Sequence, residues 1–495
     1  MTGTVYPALL IIGPLLAAIL CSGFSWVEKR ACYPVAAAGL LLAAYSAFRV
    51  LMEVLASGTI QYRMAGWPPP IGIELRIDLM NALVLMVVAC IALVNLFASH
   101  RFVSRDLADR EGTFYAVYLM FVTGILGVSA TGDLFNLYVL LEITSLASYA
   151  LIAMGDPDRS PLASLNYVFI GVIGASFYLL GVGYIYIMTG SLNMVDVASL
   201  LPAIHDSSAI LIAFIFCMIG VWIKMALFPL HVWLPNAYTY APLPVSRVIA
   251  PLMTKVMVYV MIRLMLTVFG LDYIFEKLDI AQAVVWLATA AILAGGVMAL
   301  AQKDIKKMAT YIIVSEIGYM VGGAWLGNKT GMTGSILHIL NDAVMTFALF
   351  LAAGNIAFRL KNVHFSSLEG IFTKMPWTMT GFVLAGFSII GVPPTCGFFS
   401  KWYLVIGGIE AGAYHFVAAL IISSLICAVL FFRIFEIGFF SDDSHGHGHG
   451  HSAGPEMAEA PISMLIPLGI TSLFLIGLGL YSGVIVNRII HPFLG

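Results

Sequence analysis

Apolar runs of about twenty residues recur along the whole chain, from Val5 to Val486, each bounded by charge, glycine or proline. A run of that length crosses a bilayer as one helix, and helices and closed barrels are the only structures that satisfy their own backbone polar groups there. Spans are expected near 4–22, 33–56, 79–99, 113–130, 134–154, 165–189, 209–234, 243–268, 282–301, 306–325, 332–357, 376–412, 414–436 and 462–486. The chain is 61% hydrophobic and only 10% charged, where a soluble domain would carry roughly 25% charge. An all-α polytopic membrane protein of about 14 transmembrane helices follows. Its first run is followed by Glu28, Lys29 and Arg30 rather than by a small-residue cleavage site, so it reads as a retained span.

Composition also excludes functions. A net charge of −2 gives no footprint for nucleic acid. The six cysteines, at 21, 32, 90, 217, 396 and 427, form no CxxC pair, so neither an iron–sulfur nor a zinc framework is expected. With no GxGxxG after a strand and no P-loop, the chain is expected to hold no cofactor, metal or nucleotide of its own. Any redox chemistry would belong to a partner.

Orientation follows from basic residues. With the N-terminus outside, the inner loops collect fourteen lysines and arginines, Arg247 and Lys306 among them, against five outside. The positive-inside rule then places both termini on the outer side of a cytoplasmic membrane. Two spans read as broken. The seventh, WIKMALFPLHVWLP, carries Pro229 and Pro235 after Lys224, and the twelfth, GFSIIGVPPTCGFFSKW, carries Pro393 and Pro394 before Lys401. Proline removes a backbone donor and bars the preceding turn. Matching discontinuous helices mark inverted-repeat transport folds, which predicts two inverted five-helix repeats, spans four to eight and nine to thirteen. The expected organisation is a three-helix segment at 1–110, repeats at 111–270 and 280–436, a loop at 437–461 and a final span at 462–495.

Lys224, Lys255, Lys401 and Glu142 lie inside these runs. Each costs at least ~2.5 to 3.5 kcal/mol at a bilayer centre, so intramembrane charges mark function by default. The plainer readings are an interhelix salt bridge for Glu142 and Lys224, and snorkelling for Lys255. His338 on an apolar face reads either as a proton relay or as a satisfied core residue. Arg49 and Glu53, four apart on the second span, read as a local pair. Glu316 and Arg263 also fall in or near the membrane, with a helix-end lysine such as Lys307 or an adjacent subunit as a partner for Glu316.

Five ordered motifs carry a family resemblance: GDLFNLYVLLEITSLASYALIA (132–153), IKMALFPLHVWLPNAY (223–238), APLPVSRVIAPLMTKV (241–256), DIKKMATYIIVSEIGY (304–319) and GVPPTCGFFSKW (391–402). Together they resemble the antiporter-like subunits shared by Mrp-type cation/proton antiporters, respiratory complex I and membrane-bound energy-converting hydrogenases. GDLFNLYV before the glutamate looks most like the Mrp-type D subunit. The resemblance implies a proton path along Glu142, Lys224, Lys255, His338 and Lys401, with His231 as a link beside the seventh-span break. It implies other hydrophobic subunits as partners, protons and sodium as the transported ions, and the cytoplasmic membrane of a prokaryote. A redox complex, either a quinone reductase or a hydrogenase, is the alternative setting. One departure stands out: where many relatives have a histidine, a second histidine four on and a lysine four beyond, this chain has His338, Asp342 and Thr346.

The segment SDDSHGHGHGHSAG (441–454) alternates histidine and glycine. Such tracts bind metals adventitiously, but glycine gives no preorganisation. The prolines after Trp67 read as a rigid loop.

Overall fold

The computed structural model describes residues 4–439 and 459–495, so the histidine–glycine tract lies outside the described residues. The helices are α1 (Tyr6–Val27), α2 (Cys32–Ser57), α3 (Leu79–Asp106), α4 (Glu111–Ala130), α5 (Leu134–Ala153), α6 (Ser160–Thr189), the short α7 (Met194–Leu200), α8 (Ser208–Met225), α9 (Leu234–Tyr240), α10 (Leu243–Arg263), α11 (Ala281–Leu300), α12 (Ile305–Trp325), α13 (Lys329–Leu360), the one-turn α14 (Ile371–Lys374), α15 (Pro376–Ile390), α16 (Cys396–Glu410), α17 (Tyr414–Phe439) and α18 (Ile462–Leu480). Among the described residues, 12 helices are long and apolar enough to cross a membrane. The other two expected crossings fall on α12, which carries Lys306, Lys307 and Glu316, and on the twelfth span, which is divided into α15 and α16.

Both proline-bearing spans are interrupted. In the seventh, α8 stops where Ala226 turns left-handed (φ 63°), and the chain resumes at α9 after a cis Phe228–Pro229 bond. The indole nitrogen of Trp233 donates to the Ile223 carbonyl, 3.1 Å away, satisfying an acceptor near the interrupted end. In the twelfth, Gly391 takes φ 94°, a conformation costly for any residue with a Cβ, and the break runs through a cis Pro393–Pro394 bond to Thr395.

The two halves repeat a local construction. Asp133 caps α5 by accepting from the Asn136 amide, and its backbone bridges to Asn193 beyond α6. Asp304 caps α12 by accepting from the Lys307 amide, and its backbone bridges to His364 beyond α13. Span five with six is thus built like span ten with eleven. Small residues set the helix spacing, as membrane interfaces require when backbones approach closely: a Cβ on Gly220 of α8 would lie 2.7 Å from the Gly174 carbonyl of α6.

The 32-residue α13 is the centre of the molecule. Its most apolar window is wholly buried, and it packs against α3, α10, α12, α15, α16 and α18. Large apolar side chains such as Leu16, Phe48, Phe169, Leu425 and Leu473 face outward, where lipid would contact them. After α2 the chain forms an antiparallel hairpin, β1 (Ile60–Arg63) with β2 (Glu74–Ile77), and Trp67 with the prolines that follow it lies in the connection between the two strands. Glu74 accepts from the Asn193 side chain at 2.9 Å and so ties this hairpin to the first half.

Three local expectations change. Arg247 and Lys306, counted as loop charges, are buried on helices. Arg247 reaches the Asn355 side chain at 3.0 Å, and Lys306 donates to the Thr239 carbonyl at the end of α9, 2.7 Å away. Arg49 donates to the Tyr45 hydroxyl at 3.1 Å and lies over the Tyr6 ring rather than forming an ion pair with Glu53.

Candidate functional site

The intramembrane charges form a row of paired groups. On α5 and α8, Lys224 Nζ lies 3.3 Å from Glu142 Oε1 and donates to the Ser145 hydroxyl at 2.8 Å. Lys224 is buried while the Glu142 side chain remains 23% exposed, so one partner is enclosed and the other reaches the protein surface. Ser145 is one turn beyond Glu142 on the same face, which gives the ammonium a second acceptor.

On α10 and α13, Lys255 Nζ lies 3.0 Å from Asp342 Oδ2 and donates to Thr346 Oγ1 at 3.2 Å and the Ala250 carbonyl at 3.3 Å. Thr346 donates back to Asp342 Oδ1 at 2.8 Å. Lys255 therefore does not snorkel: its side chain is 2% exposed and ends on a buried carboxylate. The acid and hydroxyl that depart from the family pattern are its partners, placed four apart on one face of α13.

The third cluster joins α12, α13 and α16. His338 Nδ1 is 2.8 Å from the Ser400 hydroxyl and Nε2 is 2.5 Å from Glu316 Oε2. Lys401 Nζ donates to the Ile389 carbonyl at 2.6 Å and the Ser424 hydroxyl at 3.3 Å, and sits 4.0 Å from Glu316 Oε1. The Ile389 carbonyl is available because α15 ends one residue later, so the twelfth-span break supplies an acceptor for the ammonium.

All five sequence-predicted residues thus take part in polar contacts inside the helix bundle. His231 does not join them among the described residues. Its Nδ1 is buried without a partner, and its ring faces those of Phe228 and Tyr311. Sequence reasoning missed the place of Glu316, which meets His338 and Lys401 rather than Lys307; the signal available was its position on span ten, the counterpart of the span that carries Glu142. Arg263 is a second miss. It grips Asp78 at the start of α3 through two nitrogens, at 2.6 and 3.0 Å, and so locks α10 to α3.

No three His, Cys, Asp or Glu side chains are grouped to hold a metal among the described residues. Each cluster places a titratable base beside a hydroxyl: Ser145 at Lys224, Thr346 at Lys255, Ser400 at His338 and Ser424 at Lys401. A bundle of apolar helices with two broken spans and paired lysines in its interior defines an antiporter-like membrane protein. Residues 131–427 match the family described as NADH:quinone oxidoreductase/Mrp antiporter, TM, and the chain belongs to that family. It is 43% identical to the N subunit of an NADH-quinone oxidoreductase from Desulforudis audaxviator, over 98% of this chain and 97% of the relative. It is 30% identical to the D subunit of a Na(+)/H(+) antiporter from Alkalihalophilus pseudofirmus, over 80% of this chain and 79% of the relative. Among solved structures, a chain of the membrane-bound sulfane sulfur reductase, an archaeal respiratory membrane complex, superposes with TM-score 0.88 at 28% identity, covering 98% of this chain and 96% of that one. A chain of the Mrp complex from Dietzia shares the fold, with TM-score 0.86 at 24% identity, covering 98% and 96%.

Proposed function

We propose that the chain is the proton-translocating membrane subunit of a redox-driven complex, moving protons along Glu142, Lys224, Lys255, His338 and Lys401. The observation that carries the setting is the 43% identity to an NADH-quinone oxidoreductase subunit along nearly the whole of both chains. The Mrp-type D relative is more distant and matches a shorter part of the chain, which moves the reading away from the Mrp likeness of GDLFNLYV. The respiratory complex that shares the fold at 28% identity supports the same setting.

Each lysine of the path has a carboxylate at 3.0 to 4.0 Å. A carboxylate at that range favours the ammonium, while desolvation favours the amine. Small changes in a pair's separation therefore decide whether the lysine takes or gives a proton. The membrane potential contributes ~2.3 kcal/mol per charge per 100 mV to such a path. With the buried Arg247 and Lys306 set aside, twelve basic residues on the inner side against five on the outer still support both termini on the outer side.

A second reading, a subunit of a cation/proton antiporter coupled to sodium, is supported by the identity to the Alkalihalophilus antiporter protein. Purifying the assembled complex and identifying its polypeptides by mass spectrometry separates the two. Iron–sulfur, quinone-reductase or hydrogenase polypeptides are expected; small hydrophobic antiporter subunits alone would establish the second reading.

A further inference from the structure

Glu316 is 1% exposed, and its two oxygens face different groups. Oε2 is held 2.5 Å from His338 Nε2, while Oε1 has no hydrogen-bond partner among the described residues and looks across 4.0 Å to Lys401 Nζ. Lys401 is meanwhile engaged with the carbonyl freed by the helix break and with Ser424. A buried carboxylate oxygen left unpartnered is costly, and a buried ammonium one side-chain rotation away is its natural complement.

The placement repeats that of Glu142. Glu142 follows the capping Asp133 of α5 by nine residues, and Glu316 follows the capping Asp304 of α12 by twelve. A difference of three residues keeps both on the same helical face, one turn apart. Each carboxylate meets a lysine of the broken span in its own half: Lys224 beside the α8 break, Lys401 in α16 beyond the other.

We infer that Glu316 is a proton-carrying residue of the second half, passing a proton from His338 to Lys401 and alternating as counter-charge to each. The inference rests on the proton-relay reading above. In the first step the Nε2–H bond of the His338 imidazolium breaks and an O–H bond forms at Oε2, giving neutral imidazole and carboxylic acid. In the second, the carboxylic acid gives its proton to the neutral amine of Lys401, leaving carboxylate and ammonium. The three groups together carry the same charge before and after, so the proton advances without an uncompensated charge in an apolar medium. Besides His338 and Lys401, the titratable groups facing this carboxylate are Tyr319 on its own helix and the Cys427 thiol of α17. Tyr319 donates to Ser423 and lies under Lys401, with Nζ 4.9 Å from the ring centroid.

The test uses the whole complex in proteoliposomes, with proton flux under an imposed potassium diffusion potential read by a pH-sensitive dye. Glu316→Gln is expected to assemble and to lose flux by about tenfold or more, within the range of a lost acid–base group. Glu316→Asp, which keeps the charge but shortens the reach, is expected to assemble, to recover part of the flux and to displace its pH profile. Wild-type flux in Glu316→Gln overturns the assignment. So does an unchanged rate and pH profile in Glu316→Asp, or loss of assembly in both variants, which marks the residue as structural. Lys224→Ala and Lys401→Ala run alongside. If they too conduct normally, the relay reading itself fails; if they are inactive while Glu316→Gln conducts, only the present inference fails.

Discussion

Replacing Asp342 by asparagine leaves side-chain size almost unchanged and removes one charge from the pair at the centre of the bundle. The lost partner stood 3.0 Å from Lys255 Nζ, with side chains only 2% and 1% exposed. At an effective dielectric of about 20, that separation corresponds to roughly 5.5 kcal/mol of attraction. The ammonium keeps Thr346 and the Ala250 carbonyl as neutral acceptors, so the net loss should fall toward the ~3–5 kcal/mol typical of breaking a buried pair from one side. At 1.4 kcal/mol per decade this is a bias of about two to four orders of magnitude against the charged lysine. Asp342→Asn should therefore assemble, because the amide still accepts from Thr346, while proton flux in proteoliposomes falls at least about a hundredfold. Removing both charges, as in Lys255→Met with Asp342→Leu, should restore the thermal stability of the complex without restoring flux. Flux in Asp342→Asn within about twofold of wild type would refute the reasoning and leave the pair as a staple between α10 and α13.

Glu142→Gln and Lys224→Ala should each cut flux by at least about tenfold with assembly intact, and the double variant should be no worse than the worse single, as expected of groups acting as a unit; fully additive losses would separate the two residues. Asp78→Ala removes the cap of α3, which is bonded to the Met80 and Asn81 amides, together with the acceptor of Arg263. It should destabilise the purified complex by about 3–5 kcal/mol, read as a lowered thermal midpoint, and an unchanged midpoint would count against the lock. The Lys277 ammonium holds the exposed Asp206 carboxyl below the usual carboxylate range. Any stability from that pair is present above the ordinary carboxylate range and is lost as pH falls through the lowered value. Exposure screens it, so Lys277→Ala should leave the thermal midpoint at neutral pH unchanged. Installing histidine at position 342 with lysine at 346 should abolish flux, since Lys255 would face a base and a second cation in place of a carboxylate and a hydroxyl; wild-type flux would show that the acid at 342 is dispensable.

The spans were legible because about twenty apolar residues between charges have one low-energy solution in a bilayer. The two breaks were legible because proline writes them directly into the sequence. Glu142, Lys224, Lys255 and Lys401 stood out because intramembrane charge is rare, and His338 because of the family resemblance. Their partners were harder to read. Asp342 was visible as a departure, but its pairing with Lys255 depends on how α10 crosses α13, which no local pattern encodes. The partners of Glu316 are hidden for the same reason, since they come from α13 and α16, 22 and 85 positions further along the chain. Arg247 and Lys306 misled because a basic residue near a span end looks alike whether it meets water or buried carbonyls.

The acids and lysines explain each other once both are in place. A lysine alone in the bilayer interior is costly to keep charged and reluctant to give up a proton once a distant counter-charge stabilises it. A lysine with its own carboxylate within about 4 Å is a nearly neutral pair whose balance responds to sub-ångström changes in separation, because the attraction between charges is steep at such range. Glu142 with Lys224, Asp342 with Lys255 and Glu316 with Lys401 make three such pairs, and His338 sits at the third. Asp342 preserves that pattern at the centre of the row: the second histidine and the lysine that many relatives carry would add basic groups beside Lys255, whereas the acid and hydroxyl here give it a counter-charge and a donor to hold that counter-charge in place.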